Sequence, residues 1–222
     1  MNRDTLQFLR DLANNNNREW FQENRLRYDA ARQDVLSLTN EMIGRIAEFD
    51  NEVAYLEPKD CLFRIYRDVR FSPDKSPYKR HFGTYIAKNG GHRSLYSGYY
   101  IHLEPGNCML SGGLWCPDSA GVKGMRSIID ADYEQLQEIV NEPKFKTLFG
   151  GRLESFEPPL KSVPRGYDKE HPAAEWLKMR SWCVAWKFDD EMLFLPDFTE
   201  RLAEGCRAMM PFSHWCNEAY FG

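Results

Sequence analysis

Short turns between neighbouring strand-like segments constrain the fold of this chain more than any other feature of its sequence. Residues 96–104 and 109–115 are predicted to be strands, and Pro105-Gly106-Asn107 is a turn signal between them. Lys88-Asn89-Gly90-Gly91 is a second turn signal, after a predicted strand at 85–88. Connections as short as these cannot carry a parallel crossover, so the sequence predicts an antiparallel sheet.

Alternating side chains predict two further strands. Residues 63–71 carry apolar side chains at most odd positions, and residues 182–188 alternate large apolar residues with other residues. The side chains of a strand point alternately to its two faces. If residues 63–71 are extended, Arg64 and Arg70 therefore lie on one face, with Asp68 between them.

Apolar residues three and four positions apart predict helices on both sides of these strands. A short amphipathic helix is predicted before residues 14–17. Asn16 is the predicted N-cap of the next helix. The long helix that follows has one apolar face, made of Tyr28, Ala31, Val35, Leu38, Met42, Ile46 and Phe49. Later helices are predicted at 122–129, 133–140, 173–180 and 198–209. The Gly- and Pro-rich residues between them, 150–172, are predicted to be a functional loop or a lid.

These patterns predict one α+β domain spanning residues 1–222. Its mainly antiparallel sheet comes from the central region and is packed by a long N-terminal helix and by C-terminal helices. A hydrophobic content of 42% and a charged content of 28% are typical of a soluble globular protein. We see neither a signal peptide nor an apolar run of the ~20 residues that span a bilayer, so we expect a cytoplasmic protein without membrane contact.

Positive charge is concentrated in residues 62–82. This segment holds six cationic side chains and two aspartates, a local charge of +4 in a chain of net charge −4, so the remainder carries −8. An anionic ligand, the carboxylates of a partner or the protein's own acidic residues could offset the self-repulsion. Arginines on a rigid strand bind phosphate or carboxylate through paired hydrogen bonds. The candidate ligand-binding residues here are Arg64, Arg67, Arg70, Lys75, Tyr78 and Lys79.

Two other segments hold candidate site residues. Gly112 and Gly113 lie next to Trp115 inside a predicted strand, where paired glycines indicate close approach of a ligand or of another element of the chain. Loop residues 161–171 supply Lys161, Arg165, Tyr167 and His171. If the protein is an enzyme, His171 is the candidate acid or base, because histidine titrates near neutral pH. Asp68 is the second candidate catalytic residue, with the role of orienting the arginines.

Familiar cofactor signatures are missing from the sequence. It contains no GxGxxG, GxxxxGK, HExxH or GxSxG pattern. The five histidines are scattered, and no pair of them has ligand spacing on one predicted element. The sequence therefore predicts no cofactor and no metal site.

Three motifs together resemble a known family. They are RxYRDxRFSxDKxPYK at 64–79, GG(L/I)W at 112–115 and LKxxPxGYxxxHP at 160–172, and the opening FLxxLxxNNxREWF at 8–21 also matches. This combination is similar to the domain of unknown function 2461 family of bacterial and fungal proteins. The resemblance implies no activity, but it adds weight to the candidate residues within the motifs, and to Pro164 and Gly166.

The function that these observations favour is binding of a small phosphorylated or carboxylated ligand through residues 64–80, in a cleft with residues 161–171. Whether the ligand is also converted stays open, as does the oligomeric state. The alternative is a non-catalytic interaction module whose basic face docks an acidic protein or a nucleic-acid backbone. Nucleic acid is the less favoured partner, because the sequence pI of about 5.8 is far below the value of about 9 that is typical of nucleic-acid-binding domains.

Overall fold

A computed structural model describes residues 1–221 of the chain. Its helices are α1 (Arg3–Asn14), α2 (Arg18–Glu23), α3 (Arg25–Ala47), α4 (Pro58–Cys61), α5 (Ser119–Ala131), α6 (Tyr133–Asn141), α7 (Pro143–Phe149), α8 (Ala174–Leu177) and α9 (Phe198–Phe221). Its strands are β1 (Phe82–Ile86), β2 (Tyr99–Leu103), β3 (Cys108–Leu114) and β4 (Trp182–Phe188), which form one antiparallel sheet in that order. The predicted α+β class is therefore confirmed.

The chain forms two compact units. The first consists of residues 1–93, 100–110 and 187–203, and the second consists of residues 94–99, 111–186 and the chain from Glu204 onward. The single domain that the sequence predicts for residues 1–222 stays a prediction. Among the described helices, none combines the length and the apolar composition that crossing a membrane requires.

Aromatic rings and the apolar face of α3 form the core of the first unit. The Phe21 and Tyr78 rings stack with their centroids 4.0 Å apart, and the Tyr28 ring lies 5.0 Å from that of Phe21. Each aromatic pair of this kind adds about 0.5–1.5 kcal/mol to the stability that burial provides. The buried residues of α3 have the predicted spacing of three and four: Tyr28, Ala31, Val35, Leu38, Thr39, Met42, Ile43 and Ile46.

Residues of α5, α6, α7, α9 and β4 form the core of the second unit. Asp118 is the N-cap of α5, and its carboxylate accepts a hydrogen bond from the Gly121 N–H at 2.9 Å. The Phe145 and Phe212 rings meet edge-on with their centroids 6.0 Å apart. The other buried residues of the second unit include Met125, Ile129, Leu136, Val140, Phe149, Trp182, Val184, Met209, Trp215 and Cys216.

The prediction of a strand at 63–71 is wrong. Only isolated bridges form there, between Leu62 and Thr84 and between Tyr66 and Tyr78. Pro77 lies opposite this segment and accepts from the Arg67 N–H, but it has no N–H with which to continue the ladder. Beyond that point the Arg70 N–H donates to the carboxylate of Asp68, so the backbone pairs with a side chain and not with a neighbouring strand.

Several helix boundaries also differ from the predictions; α5 begins at Ser119 and not at 122, and α8 ends at Leu177 and not at 180. Asn17, and not Asn16, caps α2, because its side chain accepts from the Trp20 N–H at 2.9 Å. The Asn16 amide instead exchanges two hydrogen bonds with the backbone of Tyr78, at 2.9 and 3.0 Å. α9 continues past the predicted end at 209, through Pro211 to Phe221. The apolar spacing that defines its first half persists there, at Phe212, Trp215 and Cys216, all of which are buried.

Replacing Gly113 with alanine is expected to destabilise the protein strongly. Gly113 has a φ of 110°, and an added Cβ would lie 2.1 Å from the carbonyl oxygen of Trp182. Backbone strain and overpacking each cost about 1–3 kcal/mol, so we expect a loss of about 2–6 kcal/mol in the free energy of unfolding, measured with urea.

Gly44→Ala is the matched control. Gly44 lies within α3, and its added Cβ would meet nothing within 4 Å. This variant should be as stable as the wild type or up to about 1 kcal/mol more stable. Equal stabilities of the Gly113→Ala variant and the wild type would contradict the close approach of β3 to Trp182.

Candidate functional site

The Arg67 side chain organises the loop that follows it. Its guanidinium donates to the carboxylate of Asp74 at 2.6 Å, to the carbonyl of Ser76 at 3.1 Å, and to the hydroxyls of Ser72 and Ser76. Hydrogen bonds from the backbone and hydroxyl of Ser76, with a smaller contribution from Arg67, lower the pKa of Asp74 to about 2. Arg67 is therefore occupied by groups of its own loop.

The other candidates of the basic segment, with the exception of Arg64, also have internal contacts. Arg70 forms an exposed ion pair with Asp68 at 2.6 Å, and its hydrogen bonds lower the pKa of that carboxyl to about 2. Lys75 donates to the carbonyl of Val69 at 2.9 Å. The Lys79 ammonium lies 5.1 Å from the centroid of the Phe63 ring, and Tyr78 is buried in the aromatic core. Among residues 1–221, Arg64 has no hydrogen bond or ion pair and is exposed.

Gly112 and Gly113 approach other elements of the second unit. A Cβ added to Gly112 would lie 2.6 Å from both the carbonyl oxygen of Gly98 and the sulfur of Met209. Gly113 faces the backbone of Trp182 in the same way. Of the two readings that the sequence left open, close packing within the protein accounts for both glycines.

A cavity of about 620 Å³ lies in the second unit. Its walls are the residues directly after β3, the N-terminal half of α5, part of the loop at 150–172, and the two residues before β4. Small-molecule sites have volumes of about 300–1,000 Å³. The predicted site residues Trp115, Arg165 and Tyr167 all line this pocket, which we call the basic pocket.

The charge of the basic pocket is predominantly positive. Lys123, Arg126, Arg165 and Arg180 line it, and Glu157 is the acidic residue of its wall. Arg180 pairs with Glu157 at 2.9 Å, but both side chains are about half exposed, at 49% and 53%. Exposed pairs of this kind contribute at most about 1 kcal/mol and rearrange easily.

Arg126 differs from Arg67, whose guanidinium pairs with the carboxylate of Asp74, because its own partners are backbone carbonyls. Its Nε donates to the carbonyl of Leu177 at 2.9 Å, and its Nη2 donates to the carbonyl of Met179 at 3.0 Å. No carboxylate among residues 1–221 pairs with it. Burial lowers the pKa of Arg126, although the guanidinium stays charged at neutral pH. The pocket therefore holds a partly buried cation whose remaining N–H groups are available.

Hydrogen bonds to neighbouring elements hold the first half of the long loop in place. Glu154 pairs with Cys183 in an isolated antiparallel bridge, and the Phe156 N–H donates to the hydroxyl of Ser181 at 2.7 Å. The Phe156 ring lies 4.0 Å from the ring of Trp115, and both side chains are exposed. The loop thus supplies a fixed wall of the basic pocket with an aromatic pair at its edge.

His171 and Lys161 belong to the same loop but do not line the basic pocket. The Nδ1 of His171 accepts from the Ala173 N–H at 3.0 Å, and its Nε2 lies 3.9 Å from the carboxylate of Asp130. Its ring also packs edge-on against Tyr133, with the centroids 5.4 Å apart. These contacts position the chain before α8; the catalytic role of His171 stays a prediction.

A second polar cluster, which we call the histidine cluster, lies in the first unit. The ligand-type atoms of His81, His102 and Glu104 all lie within 4.8 Å of one another. Burial, followed by the charges of His102 and Lys79, lowers the pKa of His81 to about 4. Burial also lowers the pKa of His102, against the opposing effect of Glu104. Both imidazoles are therefore neutral at neutral pH.

Comparison with protein families identifies one relationship. The family described as "Conserved hypothetical protein (DUF2461)" matches residues 4–215 of the 222-residue chain. The chain belongs to this family. No curated protein and no solved structure matches it. The predicted membership in DUF2461 is confirmed, and the description of the family states no activity.

Sequence reasoning missed part of both sites in this DUF2461 protein. Lys123 and Arg126 lie three residues apart on α5, a spacing that places two side chains on one helix face and that could have drawn attention to them. His102 lies in β2 and Glu104 is the first residue after it, so the alternation of the extended chain places the two side chains on the same side. The spacing of histidines alone does not reveal this His–Glu pair.

Arg67→Ala is expected to destabilise the protein, because it leaves Asp74 and the carbonyl of Ser76 without their shared partner. Its side chain is 25% exposed, so solvent screens part of the interaction. We expect a loss of about 1–2 kcal/mol in the free energy of unfolding, seen as a lower melting temperature.

Arg64→Ala removes the same charge from the same segment and serves as the control. Its exposed side chain has no ion pair among residues 1–221, so its melting temperature should equal that of the wild type. A melting temperature of Arg67→Ala as high as that of Arg64→Ala would contradict the structural role of Arg67.

Proposed function

We propose that the protein binds a small phosphorylated or carboxylated ligand in the basic pocket of its second unit. The observation that carries this proposal is the partly buried charge of Arg126, which has carbonyl partners but no carboxylate partner among residues 1–221. A buried charge without a counter-charge costs free energy. An anion in the pocket would offset that cost, and Arg165 is available to contact the same anion.

The surroundings of Arg126 favour an anion over a neutral ligand. Burial lowers the pKa of Arg126; Tyr167 opposes this effect, and the charge of Arg180 adds to it. Arg165 has no ion pair or hydrogen bond among residues 1–221. Guanidinium groups bind the oxygens of phosphate and carboxylate through two parallel hydrogen bonds. A single anionic group between Arg126 and Arg165 would relieve the repulsion among these cations.

The rest of the pocket fits an organic ligand. Trp115 and Tyr167 supply aromatic surface beside the arginines, and Leu160 and Val122 supply aliphatic surface. Ligand sites commonly combine apolar walls with a few polar groups that fix the orientation of the ligand. The ligand class is therefore a small organic molecule with at least one phosphate or carboxylate group.

The chemistry of the pocket supports binding without covalent catalysis. Cys116 lines the pocket, but burial and the nearby charge of Glu157 raise the pKa of its thiol, so it is protonated at neutral pH. A protonated thiol is a poor nucleophile. Glu157 itself is paired with Arg180. We therefore propose a binding function and do not assign a reaction.

The ligand class is the one that the sequence predicts, but the proposed location differs. Arg67 and Arg70 of the basic segment are engaged by Asp74 and Asp68, the two aspartates already counted in its local charge of +4, so these two guanidinium groups are occupied although the segment keeps its net positive charge. The alternative in which residues 64–80 dock an acidic protein or nucleic acid would therefore depend on the remaining cations of the segment.

Arg165→Ala is expected to weaken binding of small anions. The untagged protein is titrated calorimetrically, at low ionic strength, with inorganic pyrophosphate and with citrate. A hydrogen bond between a guanidinium and an anion contributes about 1.5–3 kcal/mol, so the dissociation constant should rise about tenfold or more.

Lys161→Ala removes the same charge from the same loop but outside the pocket, and serves as the matched control. Its dissociation constants should rise much less than those of Arg165→Ala, because an exposed ammonium outside the lining contributes only a general charge attraction and no hydrogen bond to the anion. Equal weakening by the two variants would indicate a general effect of charge and would refute the pocket. Absence of binding of both anions to the wild type would refute the proposal itself.

A further inference from the structure

We infer that the histidine cluster is a binding site for a divalent transition-metal ion, with His81, His102 and Glu104 as the three protein ligands. The cluster lies in the first unit and does not depend on the basic pocket of the second. Two imidazole nitrogens and one carboxylate oxygen are a ligand set typical of zinc sites with an open fourth position. That position would be available to water or to an oxygen of a ligand.

The geometry is close to what a tetrahedral ion requires. The ligand-type atoms of the three residues lie within 4.8 Å of one another, and the Nε2 of His102 lies 3.2 Å from the Oε2 of Glu104. At zinc–ligand distances of about 2.0–2.2 Å, tetrahedral ligand atoms lie about 3.3 Å apart. Small side-chain rotations would therefore bring the three atoms to ligating distance.

Outer partners already orient two of the ligands. The hydroxyl of Tyr100 lies 2.9 Å from the Nδ1 of His102, and the amide of Asn107 donates to the Oε2 of Glu104 at 2.9 Å. When a metal occupies the Nε2 of His102, the imidazole keeps its one proton on Nδ1 and donates it to the hydroxyl oxygen of Tyr100. Second-shell contacts of this kind orient histidine ligands and raise metal affinity.

His81 is the residue of the histidine cluster whose ring has no hydrogen-bond partner among residues 1–221. The residue is only partly exposed. Its ring lies 4.2 Å from that of His102, where two imidazolium charges would repel each other. The ring of His81 thus lies beside a second imidazole and a carboxylate with no hydrogen bond among residues 1–221, and a metal ion between the three residues would supply its partner.

Lys79 opposes metal binding and provides a directional test. It lies two residues before His81 in the chain, and its charge acts on that imidazole. Two neutral imidazoles and one carboxylate leave a net charge of +1 around a divalent ion, which the ammonium of Lys79 repels. Removing the charge of Lys79 should therefore strengthen metal binding, an effect that a purely structural hydrogen-bonded cluster would not produce.

The test uses untagged full-length protein that has been freed of metal with a chelator. Titration with Co²⁺ should give the visible absorption of tetrahedral coordination at one equivalent, and Zn²⁺ should displace the Co²⁺. His81→Ala and Glu104→Gln should each weaken Zn²⁺ binding by more than about tenfold, since outer-shell changes alone cost that much. Lys79→Gln should strengthen it severalfold.

His92→Ala is the matched control, because His92 lies in the same unit, contacts the carbonyl of Asp60 and is outside the cluster. Its Zn²⁺ affinity should equal that of the wild type, and circular dichroism checks that each variant is folded. Glu104→Gln keeps the shape of the side chain and so remains informative if His81→Ala unfolds. The inference is overturned if the wild type binds neither Co²⁺ nor Zn²⁺ at a metal concentration of about 100 µM. It is also overturned if folded Glu104→Gln binds Zn²⁺ as tightly as the control does.

Discussion

Arg126 donates hydrogen bonds to the carbonyl oxygens of Leu177 and Met179, and the basic pocket depends on this contact. Leu177 is the last residue of α8 and Met179 lies two residues beyond it, so Arg126 satisfies one carbonyl at the helix end and one in the chain that follows. The contact fixes the guanidinium beside Arg180 and Tyr167 without neutralising its charge. A structural role and an available positive charge are thus combined in one residue.

The two basic regions of the protein differ in how their charge is balanced. In the segment at 62–82, Arg67 and Arg70 have carboxylate partners a few residues away. In the basic pocket, Arg126 has only carbonyl partners and Arg165 has none among the described residues. The local charge of the sequence identifies the first region and not the second, because the second is assembled from a helix, a loop and a strand end. Charge density alone therefore does not locate an anion site; the partners of each cation do.

The fold could be predicted where one local pattern governs a whole element. Alternation over residues 182–188 gives β4 with its observed bounds, and the apolar spacing of α3 agrees with its buried face. The same alternation at 63–71 failed, because Pro77 and the side chain of Asp68 interrupt the backbone pairing. For the site, Trp115, Arg165 and Tyr167 were predicted from motifs, whereas Arg126 required the position of α8, which no local pattern gives.

A crystal structure of the protein taken directly from cells, without added ligand, tests the central claim most directly. We predict density for an anionic group within hydrogen-bonding distance of Arg126 and Arg165. The result that would contradict this is a pocket in which the free N–H groups of Arg126 contact only water and Arg165 pairs with Glu157. In that case the arginines of the pocket would be occupied by groups of the protein itself, as Arg67 and Arg70 are in the segment at 62–82.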